Sequence, residues 1–150
     1  MQPPPNPPDP HEVLFHATTV AVGARALMIT GASGSGKSAL ALQLIALGAC
    51  LVADDATLVL YDKTEVLLRT RCVPSIRGQI EARGIGILTL PHRQDVPLFA
   101  VVDLDRDTAS RLPERQKISI LDRDCPLLNK EAGPHFASTL FLCLTYGVLP

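Results

Sequence analysis

The sequence has no tryptophan and few aromatic residues of any kind, 4% of 150. Its core must then be assembled from Ala, Val, Leu and Ile, which suits a buried parallel sheet. Neither sign of charge is in excess: 14 Lys and Arg stand against 15 Asp and Glu, a formal net charge of −1. A nucleic-acid binder ordinarily carries a basic face and a high isoelectric point, so no nucleic-acid partner is expected. No apolar run approaches the ~20 residues that span a bilayer. The start, Met1-Gln2-Pro3-Pro4-Pro5, lacks the basic-then-apolar order of a secretory signal. The expectation is a cytoplasmic protein with no membrane partner. None of the four cysteines, Cys50, Cys72, Cys125 and Cys143, stands in a C-x-x-C pair. They read as small, reduced core residues rather than disulfides or metal ligands.

What is present is 47% hydrophobic and 19% charged, the profile of a globular domain, and the length fits one such domain. Residues 1–12 form a proline-rich tail, with Pro3, Pro4, Pro5, Pro7, Pro8 and Pro10, expected to be disordered or polyproline II. Residues 13–150 form the folded domain. Val13 to Val22 reads as one or two strands, and Arg25 to Thr30 as a short buried strand ending at Gly31. Lys37 to Leu47 has the Leu and Ala content of a helix, with Gly48 placed to end it. Cys50 to Ala53 is a further buried strand that runs into Asp54-Asp55. The order strand, glycine loop, helix, strand is that of a βαβ unit with a right-handed crossover. Thr57 to Tyr61 and Glu65 to Arg71 form a hairpin turning at Asp62-Lys63. Strands follow at Gly84 to Leu90 and Leu98 to Leu104, then a polar loop or short helix from Asp105 to Arg115. Ile118 to Leu121 is the last strand and Ala132 to Tyr146 a closing helix. The whole reads as an α/β P-loop domain with a mixed sheet, a strand–loop–helix–strand unit and a β-hairpin.

Gly31-Ala32-Ser33-Gly34-Ser35-Gly36-Lys37-Ser38 matches G-x-x-x-x-G-K-[ST] in full. Glycines let successive backbone N–H groups turn inward onto phosphate oxygens, and the following helix adds its positive end. Lys37 neutralises the β- and γ-phosphates, and the Ser38 hydroxyl ligates Mg²⁺. Asp54 and Asp55 follow the next strand, where a P-loop protein places an acid for the metal. Adjacent acids on an extended chain point opposite ways, so they divide two jobs: one faces metal or nucleophile, the other supports the loop. No Asn-Lys-x-Asp guanine motif is present, which excludes a Ras-like GTPase. The motifs of ABC-type and AAA-type ATPases are missing as well. Arg106, Arg111, Arg115 and Arg123 read as scattered surface arginines rather than a kinase lid.

With His16, the phosphate loop, Val52-Ala53-Asp54-Asp55 and Glu81-Ala82-Arg83-Gly84-Ile85-Gly86 in this order, the chain resembles the catalytic domain of HPr kinase/phosphorylase. The resemblance runs from about Val13 to about Leu90 and includes Pro74 and Gly78. It resembles the short, α-proteobacterial form; full-length members carry an additional N-terminal domain. The family's later arginine and its glycine-arginine-asparagine loop have no clear counterpart in Lys117 to Pro134. The resemblance implies a fold like that of PEP-carboxykinase-type P-loop kinases. It implies an ATP-dependent protein-serine kinase acting on the phosphocarrier protein HPr, with phosphorolysis to pyrophosphate as the reverse reaction. The cofactors it implies are ATP and Mg²⁺, with pyrophosphate or inorganic phosphate as co-substrates, and it implies a homo-oligomer, a hexamer in the family. By position, Lys37 holds the phosphates, Ser38 and Glu81 bind Mg²⁺, and one of Asp54 and Asp55 is the acid–base. His16 supports that step and Arg83 sits near the phosphates. A small-molecule P-loop kinase and a nucleotide-sensing module without catalysis are the competing readings.

Overall fold

Two of the first three strands are buried along nearly their whole length, because they lie inside the sheet rather than at its rim. β1 (Glu12–Phe15) leads through His16 into β2 (Ala17–Val22), whose Ala17 to Ala21 are all buried. A turn at Gly23-Ala24 returns the chain in β3 (Arg25–Thr30), buried from Ala26 to Ile29. The computed structural model describes residues 11–108 and 110–149. The expected tail therefore lies mostly outside the described residues, although Glu12, assigned to it from the sequence, opens β1. The Tyr61 N–H donates to the His11 carbonyl at 2.8 Å, just ahead of that strand.

The chain continues through the glycine loop into α1 (Lys37–Leu47), then β4 (Cys50–Ala53), β5 (Thr57–Asp62), β6 (Leu67–Cys72), β7 (Gln79–Ala82) and β8 (Gly86–Thr89). It ends with β9 (Val96–Asp107), β10 (Gln116–Ile120), β11 (Arg123–Lys130) and α2 (Phe136–Tyr146). The main sheet runs β1-β5-β6-β9-β3-β2-β4, with β11 also on β9 and β10 on β11; β7 and β8 form a separate two-stranded sheet. β9 is the hub, pairing antiparallel with β6 and parallel with both β3 and β11.

Three sequence expectations change here. First, β3 and β4 are not neighbours: β2 pairs antiparallel with both and lies between them. The strand–loop–helix–strand unit is present, but split. Second, the sheet is mixed, as expected, but most of its pairings are antiparallel, where the aliphatic composition had suited a parallel one. Aliphatic composition reports burial on both faces, not strand direction, and here the second face is covered by strands. Ala17 and Met28 from the β2–β3 side meet Val59, Leu68, Ile120 and Leu127 from the other wing. The first face is covered by the two helices, where Leu40, Ala41 and Leu44 of α1 and Ala137, Leu140 and Leu144 of α2 join one cluster. Third, Ile118 to Leu121 is not the last strand. β10 turns at Leu121 and Asp122, both at positive φ (49° and 62°), into β11. Positive φ at both central residues is the type I′ pattern that suits a two-residue hairpin. Pro126 hid this strand, since proline donates nothing to a ladder; β9 pairs with β11 only from Leu127 onward. β9 likewise runs on through Asp105 to Asp107, into the stretch expected as loop or short helix.

All four cysteines are free, with Cys72 and Cys125 buried, as a reduced core requires. Burial pushes the Cys125 thiol up to about 12 and raises that of Cys72 as well. Among the described residues no helix is long and apolar enough to cross a membrane.

Candidate active site at the phosphate loop

The loop is shaped by its glycines. Gly31, Gly34 and Gly36 have φ of 151°, 82° and 100°. At Gly31 space forbids a side chain too, because a Cβ there would lie 2.5 Å from Ser35 Oγ. The Ser35 N–H closes a turn onto the Ala32 carbonyl at 3.0 Å. Gly36 caps α1 with no side-chain hydrogen bond, so the first helical N–H groups face the loop without a protein acceptor from the cap. Such an end favours an anion. Lys37 is buried, and its ammonium donates to the carbonyls of Gly31 (2.9 Å) and Ala32 (3.2 Å), which holds the charge across the loop.

The two aspartates divide, through a turn rather than strand alternation, because β4 ends at Ala53 and Asp55 lies at positive φ. Asp54, at the end of β4, is buried, and its Oδ1 accepts from the Ser38 hydroxyl at 2.7 Å and the Thr18 hydroxyl at 2.8 Å. Its Oδ2 accepts from the Glu81 backbone N–H at 3.0 Å. Asp55 turns outward. Its φ of 66° and the bond from the Ala56 N–H to the Asp54 carbonyl (2.8 Å) form a tight γ-type turn. A non-glycine residue adopts that conformation at an energetic cost, a feature concentrated at functional sites. The turn brings Asp55 Oδ1 to 3.1 Å from His16 Nδ1, with both side chains more than half exposed. His16 Nε2 lies 3.5 Å from Ser33 Oγ, so the imidazole spans from the acid to the phosphate loop. With Nδ1 protonated toward Asp55, Nε2 is the acceptor toward Ser33.

Glu81 lies on β7 with its side chain exposed, tied to the site by its backbone bond to Asp54. Arg83 is exposed at the tip of the β7–β8 hairpin and makes no hydrogen bond or ion pair among the described residues. Sequence reasoning missed two contributors. Thr18 donates to Asp54 and accepts the Asp55 N–H at 3.3 Å, which fixes the turn between the acids. Asp105, at the end of β9, accepts the Ala32 N–H at 2.9 Å, and its own N–H donates to Asp103 Oδ1 at 2.9 Å. Its position after a strand parallel to β3 was the available signal, because ligand sites gather beyond such strand ends. The larger cleft, about 520 Å³ against β10 and β11, is lined by none of these residues.

The oxygen set suits Mg²⁺. Among the described residues no cluster of three or more His, Cys, Asp or Glu forms a metal cage. Mg²⁺ is ordinarily held by one or two carboxylates plus substrate phosphates, so none is required. Ser38 donates its proton to Asp54, which leaves its oxygen lone pairs for a metal, and Glu81, whose backbone N–H bonds Asp54, adds an exposed carboxylate.

Strand, glycine loop, helix and acid pair on a mixed sheet define a P-loop domain of the kind that binds phosphates. The family model of the HPr Serine kinase C-terminal domain matches residues 10–93, and the chain belongs to that family. It is 35% identical over 123 residues to the HPr kinase/phosphorylase of Azoarcus sp. (strain BH72), covering 73% of this chain and 39% of that protein. Over 118 residues it is 41% identical to that of Polaromonas sp. (strain JS666 / ATCC BAA-500), covering 73% of this chain and 37% of that one. Over 66 residues it is 48% identical to that of Neisseria meningitidis serogroup C, covering 44% and 20%. The chain thus spans only 20% to 39% of the length of these relatives. The fold matches the structure of the Hpr(Ser) kinase/phosphatase from Coxiella burnetii with a TM-score of 0.76 at 20% identity, over 90% of this chain and 95% of that one.

Proposed function

We propose that this domain is an ATP-dependent protein-serine kinase acting on an HPr-like phosphocarrier, with phosphorolysis of phosphoserine as its reverse reaction. The observation that carries the reading is the exposed Asp55–His16 pair beside the half-buried Ser38 hydroxyl bonded to the buried Asp54. Phosphoryl transfer to a hydroxyl is mostly positioning and charge neutralisation, plus one carboxylate to take the proton. Lys37 and the loop N–H groups hold the phosphates. Ser38 and Glu81 would hold Mg²⁺, which would supply charge neutralisation for the phosphates, while Asp54 orients Ser38. Asp55, which faces solvent where a protein substrate arrives, accepts the serine proton. His16 fixes the rotamer of Asp55. In reverse, protonated Asp55 returns the proton to the serine oxygen as inorganic phosphate takes the phosphoryl group. Arg83, exposed on the β7–β8 hairpin, is the signature-loop cation that the family resemblance puts near the phosphates. The family resemblance supports a cytoplasmic homo-oligomer.

The test mixes the purified chain with HPr, Mg²⁺ and γ-labelled ATP and locates the label by mass spectrometry. Phosphoserine on HPr is the expected result. Label on a small metabolite in its place, or ATP binding with no transfer, refutes the reading.

A further inference from the structure

We propose that Ser33 is a self-phosphorylation site, and that the phosphoserine formed there closes the phosphate loop to further nucleotide. The inference rests on the kinase reading of that loop. Ser33, His16 and Asp55 place a hydroxyl, an imidazole and a carboxylate in sequence. Ser33 Oγ lies 3.5 Å from His16 Nε2, and His16 Nδ1 lies 3.1 Å from Asp55 Oδ1. A weak nucleophile is activated in this way, by a base within reach of the hydroxyl and an acid that fixes the base's tautomer. Such contacts are often longer before the reacting complex forms, so 3.5 Å is within range. Pairing of distant strands assembles the three groups. His16 links β1 to β2, Ser33 follows β3 and Asp55 follows β4, and β2 pairs with both β3 and β4.

The loop carries serine at 33, 35 and 38, and the fold gives each a different setting. The Ser38 hydroxyl is half-buried and donates to Asp54 at 2.7 Å. Ser35 Oγ is buried without a hydrogen-bond partner, so no base stands ready for its proton. Ser33 is exposed and faces an imidazole nitrogen. The step balances as one phosphoryl transfer. Ser33 Oγ bonds to the terminal phosphorus of ATP, the bond from that phosphorus to the β–γ bridging oxygen breaks, and ADP leaves with the electron pair. The Ser33 proton passes to His16 Nε2. The imidazolium so formed is stabilised by the Asp55 carboxylate and releases the proton to solvent. The product carries about −1.5 to −2 charges at pH 7. It stands in the loop that must receive the phosphates of the next donor, and like charges repel them.

The experiment incubates the full chain with Mg²⁺ and γ-labelled ATP, once alone and once with HPr, and maps the label by peptide mass spectrometry. The chain alone is expected to gain phosphoserine at Ser33, and Ser33→Ala is expected to gain no label in that peptide. His16→Ala is expected to slow labelling of Ser33 by about 10²–10⁴-fold, the range of a lost general base. Calorimetry with a non-hydrolysable ATP analogue reports that the loop of each variant is folded. The isolated phosphorylated chain is expected to bind the analogue at least about tenfold more weakly than the unmodified one. Analogue binding with no label on Ser33, a labelling rate unchanged in His16→Ala, or equal analogue affinity in the modified chain overturns the inference. Label on HPr in the parallel sample then shows that the kinase reading stands without it. A wild-type chain that binds no analogue overturns both.

Discussion

Asp55 and Asp54 differ by one position and by nearly everything else. Asp54 is buried and accepts three hydrogen bonds, whereas Asp55 is exposed and pairs with His16. Asp55→Asn should therefore lower transfer by about 10²–10⁴-fold, the range of a lost general base, and leave nucleotide affinity intact. Single-turnover transfer and calorimetry, run side by side, check both halves. Asp54→Asn should instead weaken Mg²⁺-dependent nucleotide binding. The buried cysteines give a pH prediction. Burial raises the Cys125 thiol to about 12, so it stays protonated when folded and ionises first when unfolded. A group whose pKa is raised by folding stabilises fully below its unfolded value, about 8.5–9, and loses that contribution as pH climbs toward 12. Denaturation midpoints should fall across that window, and Cys125→Ala should flatten the decline. The aspartate pair was legible because it directly follows a buried strand, whereas the turn at Asp55 that makes the two diverge was not. Thr18 was not, because only pairing of β2 with β4 brings it across to Asp54.

At the scale of elements, the glycine loop was the most legible part, since its sequence specifies its own backbone. Gly31→Ala would place a Cβ 2.5 Å from Ser35 Oγ at a φ of 151°. The expected outcome is a drop in pyrophosphate affinity of about tenfold or more, with far-UV circular dichroism unchanged. The β5–β6 hairpin was also read correctly in place, though its turn is longer than two residues. Asp62 Oδ1 accepts the N–H groups of Thr64 and Glu65, and the Arg69 guanidinium holds the Asp62 carboxyl below the usual range. The β7 strand was hidden inside a stretch that drew notice for Glu81 and Arg83. The insertion of β2 between β3 and β4 was out of reach for a different reason: local pattern shows which residues are buried, not which distant strand they pair with.

Across the whole molecule, α2 completes the core that supports the loop helix. Leu144 is fully buried between the helices and the sheet, and Arg25 donates to the Leu144 and Thr145 carbonyls at the end of α2, where a cation is favourable. Leu144→Ala should cost about 2–5 kcal/mol, measured by denaturant unfolding, and reduce nucleotide affinity only as the folded fraction falls. The hub position of β9 bears on synthesis. The phosphate loop, both aspartates and His16 are all translated before Val96, yet β3 pairs on its outer side with β9 alone, and β6 and β11 attach to the same strand. Long-range pairing of this kind forms late. A nascent chain still on the ribosome carries every residue of the motif as an unclosed half-sheet, exposing edges that chaperones bind, and becomes competent for phosphate only once residue 107 has cleared the exit tunnel.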